Sequence, residues 1–475
     1  MCGIAGYYSR EEKDAANQVM LMLYAQQHRG QESCGIAVSK GIKLQLHKSM
    51  GYVKEAFPEE TLERLSGSVA IGHVRYPTRG DAVIENTQPY IIETLSGPIY
   101  AIASNGDIVN YDEVANELRV KGVHFSSKND GELLGRFIVY YHERKDMEIV
   151  DAIRLLMKKI KGAYSAVFLT CSTLYAFRDE NGFRPMLMGQ RGNHVAFASE
   201  SCALDILRVD SMREIQPGEI VVVTPQQEIY QSHFHAQLLT TEPLPTPQPH
   251  HCVFEMIYFA RPDSYQFGEY VYEVRQQIGA RLAAYDDDIG DVVVPVPDSA
   301  NFIAMGYALA KNIPFQMGLI RNHYVGRTFI RPDQYTRDES VRQKFNPLKD
   351  FFTGKRVILV DDSIVRGTTI RKLVRMLKGA GAREVHLRIG SPPVKFSCYY
   401  GIDTPNPSEL IANNMTVDEI QEYIGADSLK YLAIDDLQKC VQSCDKFCYA
   451  CFNGKYPVPK SQMGVETPVG EEVGK

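Results

Sequence analysis

Along the first half of the chain, short runs of β-branched and aromatic residues alternate with turn residues. Ile4–Tyr8, Gly35–Val38, Val69–Val74, Tyr100–Ser104, Tyr164–Leu169, Leu174–Arg178 and Glu219–Val223 read as strands. Apolar positions at helical spacing predict helices over Asn17–Gln27, Tyr111–Lys121, Asp130–Tyr141 and Asp146–Lys159. Strands in runs with inserted helices predict a layered α+β fold. The second half has a different rhythm. Asp291–Val296 and Arg356–Val360 are continuous β-branched runs, as strands buried on both faces require. A helical pattern follows the first as far as Leu309. After the second, Ile370, Leu373, Val374 and Leu377 share one face of a helix from about Thr368 to Lys378, and a strand returns at Glu384–Ile389. Strand–helix–strand is the mark of a parallel sheet covered by helices, an α/β arrangement.

Between the halves, Thr240 to His251 reads TTEPLPTPQPHH. Pro243, Pro245, Pro247 and Pro249 forbid regular helix and favour extended backbone. The expected organisation is a domain over 2–239, a linker over 240–251, a second domain over 252–457 and a loose tail over 458–475.

With 475 residues, 44% of them apolar, the chain can bury a core in each domain, so general disorder is excluded. A formal charge of −6 does not suit a nucleic-acid binder. No apolar run approaches the roughly 18–20 residues of a membrane helix, and no secretory signal opens the chain. A cytoplasmic protein is expected, and there clustered cysteines point to metal or catalysis rather than disulfides.

Cys2 follows the initiator Met. Removal of Met1 would leave a thiol and an α-amine on one residue, a nucleophile carrying its own base. Gln27–Ser33 (QHRGQES), Gly72–Thr78 (GHVRYPT), Ser104–Ile108 (SNGDI) and Asn129–Glu132 (NDGE) follow at intervals. Read alone, Asn105-Gly106 is also a hairpin-turn signal, and Arg29, His73 and Thr78 could be structural. Taken together, the motifs resemble the N-terminal-nucleophile (class II) glutamine amidotransferases over most of residues 2–230. That resemblance implies a four-layer αββα sandwich. It implies Cys2 as nucleophile and Asn105 and Gly106 as the oxyanion hole. It also implies Arg75 and Asp130 as the clamps on the α-carboxylate and α-ammonium of glutamine. The residue types suit these roles: an amide side chain and an unobstructed N–H can meet an oxyanion, and a guanidinium fits a carboxylate bidentately.

Val357–Thr369 (VILVDDSIVRGTT) is a strand ending in two acids, then a Ser-, Gly- and Thr-rich loop, then a helix start. Anions bind at such helix N-termini, beyond the carboxyl ends of parallel strands. The pattern is no Walker A loop. It resembles the phosphoribosyl-pyrophosphate motif of type I phosphoribosyltransferases. This implies Asp361, Asp362, Ser363, Arg366, Gly367, Thr368 and Thr369 as substrate contacts, with Ser299 of VPVPDSAN (Val294–Asn301) joining Asp361 and Asp362 at Mg²⁺. Leu319–Pro332 resembles the mobile loop of that family; it bears Arg321, His323, Arg327 and Arg331, where the family's usual pair at 321 and 323 is Lys and Arg.

Cys448 and Cys451 form a C-x₂-C pair able to hold a metal centre, with Cys440 and Cys444 the nearest further thiols on one presumed helix face. Cys34, Cys171 and Cys202 fall in apolar strand contexts and read as small buried hydrophobes. The segments CYYGID (Cys398–Asp403), CYACFNGKYP (Cys448–Pro457) and Cys252 before MIYFARPDS (Met256–Ser264) resemble instead the ligand motifs of iron–sulfur glutamine phosphoribosylpyrophosphate amidotransferases. The resemblance to that family covers nearly the whole chain. It implies Cys252, Cys398, Cys448 and Cys451 as ligands of one [4Fe–4S] cluster per subunit, with structural zinc as the alternative, and one Mg²⁺ per subunit. It implies glutamine and phosphoribosyl pyrophosphate as substrates, purine nucleotides as feedback inhibitors, and a homotetramer. The implied reaction makes 5-phosphoribosylamine, the first committed step of purine synthesis. Two rivals remain open at this point: another class II amidotransferase with a different second domain, and a nucleotide-sensing regulator without activity.

Overall fold

The computed structural model describes residues 1–9, 13–76, 83–225, 237–240 (backbone), 248–287, 289–323, 343–404 and 406–458. Thr78, Pro243, Pro245, Pro247, Arg327, Arg331 and the tail beyond Val458 lie outside the described residues.

In chain order the first-half strands are β1 (Gly3–Tyr8), β2 (Ser33–Ser39), β3 (Leu44–Met50), β4 (Val69–Arg75), β5 (Tyr90–Thr94), β6 (Gly97–Ile108), β7 (Gly162–Leu169), β8 (Leu174–Arg178), β9 (Leu187–Arg191), β10 (His194–Ala198), β11 (Ser211–Glu214), β12 (Ile220–Thr224) and β13 (Gln237–Thr240). They make two antiparallel sheets, ordered β11-β9-β10-β1-β4-β2-β3 and β13-β12-β8-β7-β6-β5. Their inner faces meet through Ile4, Ile71 and Phe197 on one side and Ala101, Val167 and Val221 on the other. The outer face of the first sheet is covered by α1 (Ala15–Ala25), which buries Val19, Met22 and Leu23. The outer face of the second is covered by α2 (Tyr111–Val120), α3 (Asp130–Lys145) and α4 (Ile149–Lys159). Helix, sheet, sheet and helix give the four layers expected of an N-terminal-nucleophile hydrolase.

The second half is a parallel sheet, ordered β14 (Val292–Pro295), β15 (Arg356–Asp361), β16 (Glu384–Ile389) and β17 (Ser428–Tyr431). Ile278 of α5 (Val271–Ala284) and Ile303 of α6 (Asn301–Lys311) pack with Val293 and Ile358 on one face. On the other, α7 (Thr368–Gly379) and α8 (Val417–Ile424) pack with Val294, Leu359 and Leu387. The stripe Ile370, Leu373, Val374 and Leu377 faces inward as its spacing requires, each side chain contributing about 1.5–3 kcal/mol of burial.

Four local readings are corrected. Asn105-Gly106 is not a turn: it lies within β6, opposite Ser165 and Tyr164 of β7. The helix expected from Asp146 starts at Ile149, because Asp146 adopts a left-handed conformation (φ 52°) and caps α3. Cys202 is buried in a short helix and Cys171 is half-buried in a loop, so of the three thiols only Cys34 is a buried strand residue. The helix Ile434–Gln438 ends before Cys440, so Cys440, Cys444 and Cys448 share no helix face.

Candidate functional site

The glutaminase residues converge because β1 starts at the chain terminus in the middle of its sheet. Gly3 stands opposite Val74, which sets Cys2 beside Arg75 at the end of β4. Across the sandwich, the Cys2 N–H donates to Asn105 Oδ1 at 3.0 Å. Since that N–H can only donate, the amide nitrogen of Asn105 is left over; it is buried and has no hydrogen-bond partner among the described residues. An unpaired buried N–H₂ beside a thiol costs free energy unless a ligand oxygen accepts from it. Gly106 is required by close packing: a Cβ would lie 1.9 Å from the Ala163 carbonyl oxygen of β7. Asp130 Oδ2 accepts from Ile108 N–H at 3.2 Å, which ties the start of α3 to the end of β6. Gln88, not singled out by any motif, links the same pieces: its Oε1 accepts from Ser104 N–H at 2.8 Å, and its Nε2 donates to Asn129 Oδ1 at 3.2 Å. Arg75 is buried in an ion pair with Glu32, whose carboxyl is pushed up by burial although Arg75 pulls it down. Buried His73 is pushed down to about 3, first by burial and then by Arg75, so it stays neutral.

Arg29 joins this site to the second domain. It is fully buried, its Nε donates to the Cys2 carbonyl at 3.0 Å, and its Nη1 and Nη2 donate to Glu255 at 3.0 and 2.7 Å. Glu200 pairs with Arg29 and lies 2.7 Å from His28, and it accepts from Arg261 N–H at 2.9 Å and Ser264 Oγ at 2.8 Å. Burial pushes the Glu200 carboxyl up, but His28 and Arg29 outweigh it and hold the group charged. The motif QHRGQES exposes Arg29 to sequence reading. Its partners lie 171 and 226 residues away, beyond any local pattern.

At the second site, β15 delivers Asp361 and Asp362 to the carboxyl edge of the sheet, and Gly367, at φ +73°, turns the chain into α7. Ser299 Oγ donates to Asp362 Oδ2 at 2.5 Å and Ser363 Oγ to Oδ1 at 2.6 Å. Burial raises both carboxyls above the usual range; the Asp362 charge raises Asp361 further, whereas the two hydroxyls and Arg275 offset part of the rise at Asp362. Arg275 is itself buried and pushed down to about 10 by that burial. An all-oxygen set of two carboxylates and a hydroxyl suits a hard divalent cation. Arg366 points to Glu409 at 2.8 Å, and Arg321 donates to Asp298 at 2.6 Å. A cavity of about 940 Å³ takes in Glu32 and Tyr76 beside Cys2, the aromatic Phe254, Tyr258 and Phe259, and Ser299 with Asp361 to Thr369.

The four predicted cluster thiols meet where the domains join. Cys252 stands opposite Cys448 in a short parallel bridge, and Lys395 and Phe396 donate to the Cys451 carbonyl at 3.0 and 3.1 Å, drawing in the segment before Cys398. Burial raises the Cys398, Cys448 and Cys451 thiols, and neighbouring thiols of the set raise them further. Among the described residues, no three His, Cys, Asp or Glu side chains converge tightly enough to hold one ion. Four thiolates suit either of the two centres the sequence leaves open, a [4Fe–4S] cluster or a structural zinc. Arg184 is fully buried beside them, and among the described residues its Nε and Nη2 have no hydrogen-bond partner. Burial works against its charge, but Cys252, Glu255 and Cys398 outweigh it. A buried cation with spare donors fits a net-negative cluster.

Residues 73–205 match the glutamine amidotransferase domain family and residues 276–389 the phosphoribosyl transferase domain family. The chain is 46% identical over 469 residues to amidophosphoribosyltransferase 2, chloroplastic, of Arabidopsis thaliana, covering 98% of this chain and 81% of that protein. It is 43% identical over 478 residues to the amidophosphoribosyltransferase of Methanocaldococcus jannaschii, covering 99% and 100%. Among solved structures, the glutamine phosphoribosylpyrophosphate amidotransferase from B. subtilis, complexed with ADP and GMP, superposes with a TM-score of 0.87 at 38% identity, over 96% of this chain and 97% of that one.

Proposed function

The chain belongs to the amidophosphoribosyltransferase family, and from that premise we propose how its residues divide the reaction. The enzyme uses glutamine to aminate phosphoribosyl pyrophosphate, giving 5-phosphoribosylamine, glutamate and pyrophosphate in purine biosynthesis. The phosphoribosyl transferase match removes the reading as another class II amidotransferase with a different second domain.

Cys2 Sγ attacks the amide carbon of glutamine. The oxyanion takes hydrogen bonds from Asn105 Nδ2 and Gly106 N–H, a proton passes to the departing nitrogen, and ammonia leaves. Water then cleaves the thioester to glutamate. Loss of Met1 frees the α-amine as base, with an ordinary pKa of about 7.7–8.0. Arg75 and Asp130 hold the two charged ends of the substrate. Ammonia crosses the cavity to the second site and attacks the anomeric carbon as pyrophosphate departs; the sum forms one C–N bond, breaks one C–O bond and releases one proton. Ser363 and Gly367 to Thr369 seat the 5-phosphate at the α7 N-terminus, with Arg366 at the rim. Asp361, Asp362 and Ser299 would hold Mg²⁺, which when bound offsets the charge of the leaving pyrophosphate. The carboxylates also favour positive charge developing on the ribose ring.

The single observation that carries this reading is the cavity that runs from Met1, Glu32 and Tyr76, next to Cys2 and Arg75, to Ser299 and Asp361 to Thr369. The test is stoichiometry: glutamate and pyrophosphate should be released one for one when both substrates are present. Glutamate released without pyrophosphate would overturn the coupled reading.

Cys252, Cys398, Cys448 and Cys451 would hold a [4Fe–4S] cluster whose contribution is structural, since its binding energy counts as folding energy for three chain segments. The anaerobically purified protein should be brown, with about four irons per chain. Cys398→Ser should lose the colour and lower the melting temperature, and Cys440→Ser should keep both. One zinc per colourless chain would refute the cluster. Purine-nucleotide inhibition, a homotetramer and a cytoplasmic setting complete the reading. The nucleotides bound to the B. subtilis protein support the first, and cysteines without disulfides among the described residues suit a reducing compartment.

A further inference from the structure

The strand bearing Asn105 and Gly106 belongs to the first domain, but part of its covering at Gly106 comes from the second. Gly401 lies in the loop that starts at Cys398. A Cβ placed on it would stand 3.1 Å from both Cα and C of Gly106 and 3.3 Å from its O. Its φ of +101° is a conformation open to glycine and costly for other residues. On its other side, Gly106 is closed by Ala163, whose carbonyl oxygen a Cβ would meet at 1.9 Å. The Gly106 backbone is therefore held between β7 of its own sheet and a loop of the other domain. Tyr400 seats that loop. Its ring stacks on Phe183 of the first domain, with centroids 4.2 Å apart and planes 15° apart, and its hydroxyl accepts from Val458 N–H at 3.0 Å.

We infer that Gly401 is a positioning residue for glutamine hydrolysis: the second domain's loop holds the Gly106 backbone where it can serve the oxyanion. The inference rests on the assignment of Asn105 and Gly106 as oxyanion donors. Oxyanion donors act only within a few tenths of an ångström of their required position. The clearance at Gly401 is of that size, so one added methyl must move one backbone or the other. The glutaminase rate then depends on how the partner domain's loop is seated, through direct contact and without any change at Cys2.

The test compares Gly401→Ala and Phe183→Leu with the wild type as the full holoenzyme. Steady-state glutamine hydrolysis, ammonia-dependent synthesis and iron per chain are measured for each. Gly401→Ala should lower kcat for hydrolysis on the order of 10-fold, part of the roughly 10²–10³ lost with a whole donor. KM for glutamine should stay the same, because the oxyanion exists only in the transition state. Ammonia-dependent turnover and iron content should be unchanged, and Phe183→Leu should show the same split more weakly. Unchanged hydrolysis in Gly401→Ala overturns the inference. So does an equal fall of both activities in the two variants, which would make the contact one of general folding. Asn105→Ala separates the two levels: if it leaves hydrolysis intact, the oxyanion assignment fails, and if it lowers hydrolysis while Gly401→Ala does not, only the present inference fails.

Discussion

Cys2→Ala should lower glutamine-dependent synthesis by about 10⁴-fold or more, the scale seen when a catalytic nucleophile is removed, while ammonia-dependent synthesis persists. The first effect follows from chemistry: Asn105, Arg75 and Asp130 can still bind and polarise the amide, but no thioester forms. The second follows from geometry. Asp361, Asp362 and Ser299 sit at the end of a separate parallel sheet, and no step there uses the thiol. The substitution should leave the fold intact, because alanine keeps the backbone contacts at position 2, the N–H to Asn105 and the carbonyl to Arg29, and forfeits the 3.5 Å contact of Sγ with the Tyr76 carbonyl. Rates with glutamine and with ammonium salts, on protein of unchanged melting temperature, decide the matter. A parallel fall in both would mean that the two chemistries share one site.

Asp362→Asn should lower turnover about 10²–10³-fold with either nitrogen source, the loss expected when a buried charge aimed at a transition state is removed. The amide keeps the shape, yet it withdraws a charge from the cation site, replaces one acceptor of the Ser299 and Ser363 hydroxyls by a donor, and leaves Arg275 with less to neutralise. Stability should move the opposite way. A carboxyl whose folded pKa is raised binds its proton more tightly folded than unfolded. It therefore costs stability progressively as pH rises from the usual carboxylate range through the raised value. Without Mg²⁺, Asp362→Asn should melt higher than the wild type at pH 7 and lose that advantage near pH 3; with Mg²⁺ the wild type should gain more. Full ammonia-dependent turnover in Asp362→Asn, or a lower melting temperature without Mg²⁺, would remove Asp362 from this role.

Much of the architecture was legible along the chain. Runs of β-branched and aromatic residues located β1, β4, β7 and β15, and the 3.6-residue period located α7, because strand preference and helical spacing are short-range properties of the chain. The motifs around Cys2, Asn105, Asp130 and Asp361 were legible too, since a nucleophile at a terminus or a phosphate loop at a strand end is a local arrangement. Strands β9, β10 and β11 were not: they are only four or five residues long, and polar residues dilute the apolar content of β9 (LMGQR) and β11 (SMRE). Asn105-Gly106 shows the limit most clearly. The dipeptide signals a turn in isolation, and only pairing with β7 and the partner loop at Gly401 holds it extended. Cys252 and Cys448 are likewise silent about one another until a two-residue parallel bridge sets them side by side. The sequence by itself determined the two domains, their order and the chemistry each can perform. Tertiary structure alone decided which buried groups face one another across the domains: Arg29 with Glu255, and Arg184 with Glu255 and the thiols of Cys252 and Cys398. Buried charges are tolerated only where partners arrive from elsewhere in the fold, and no local spacing records where those partners will come from.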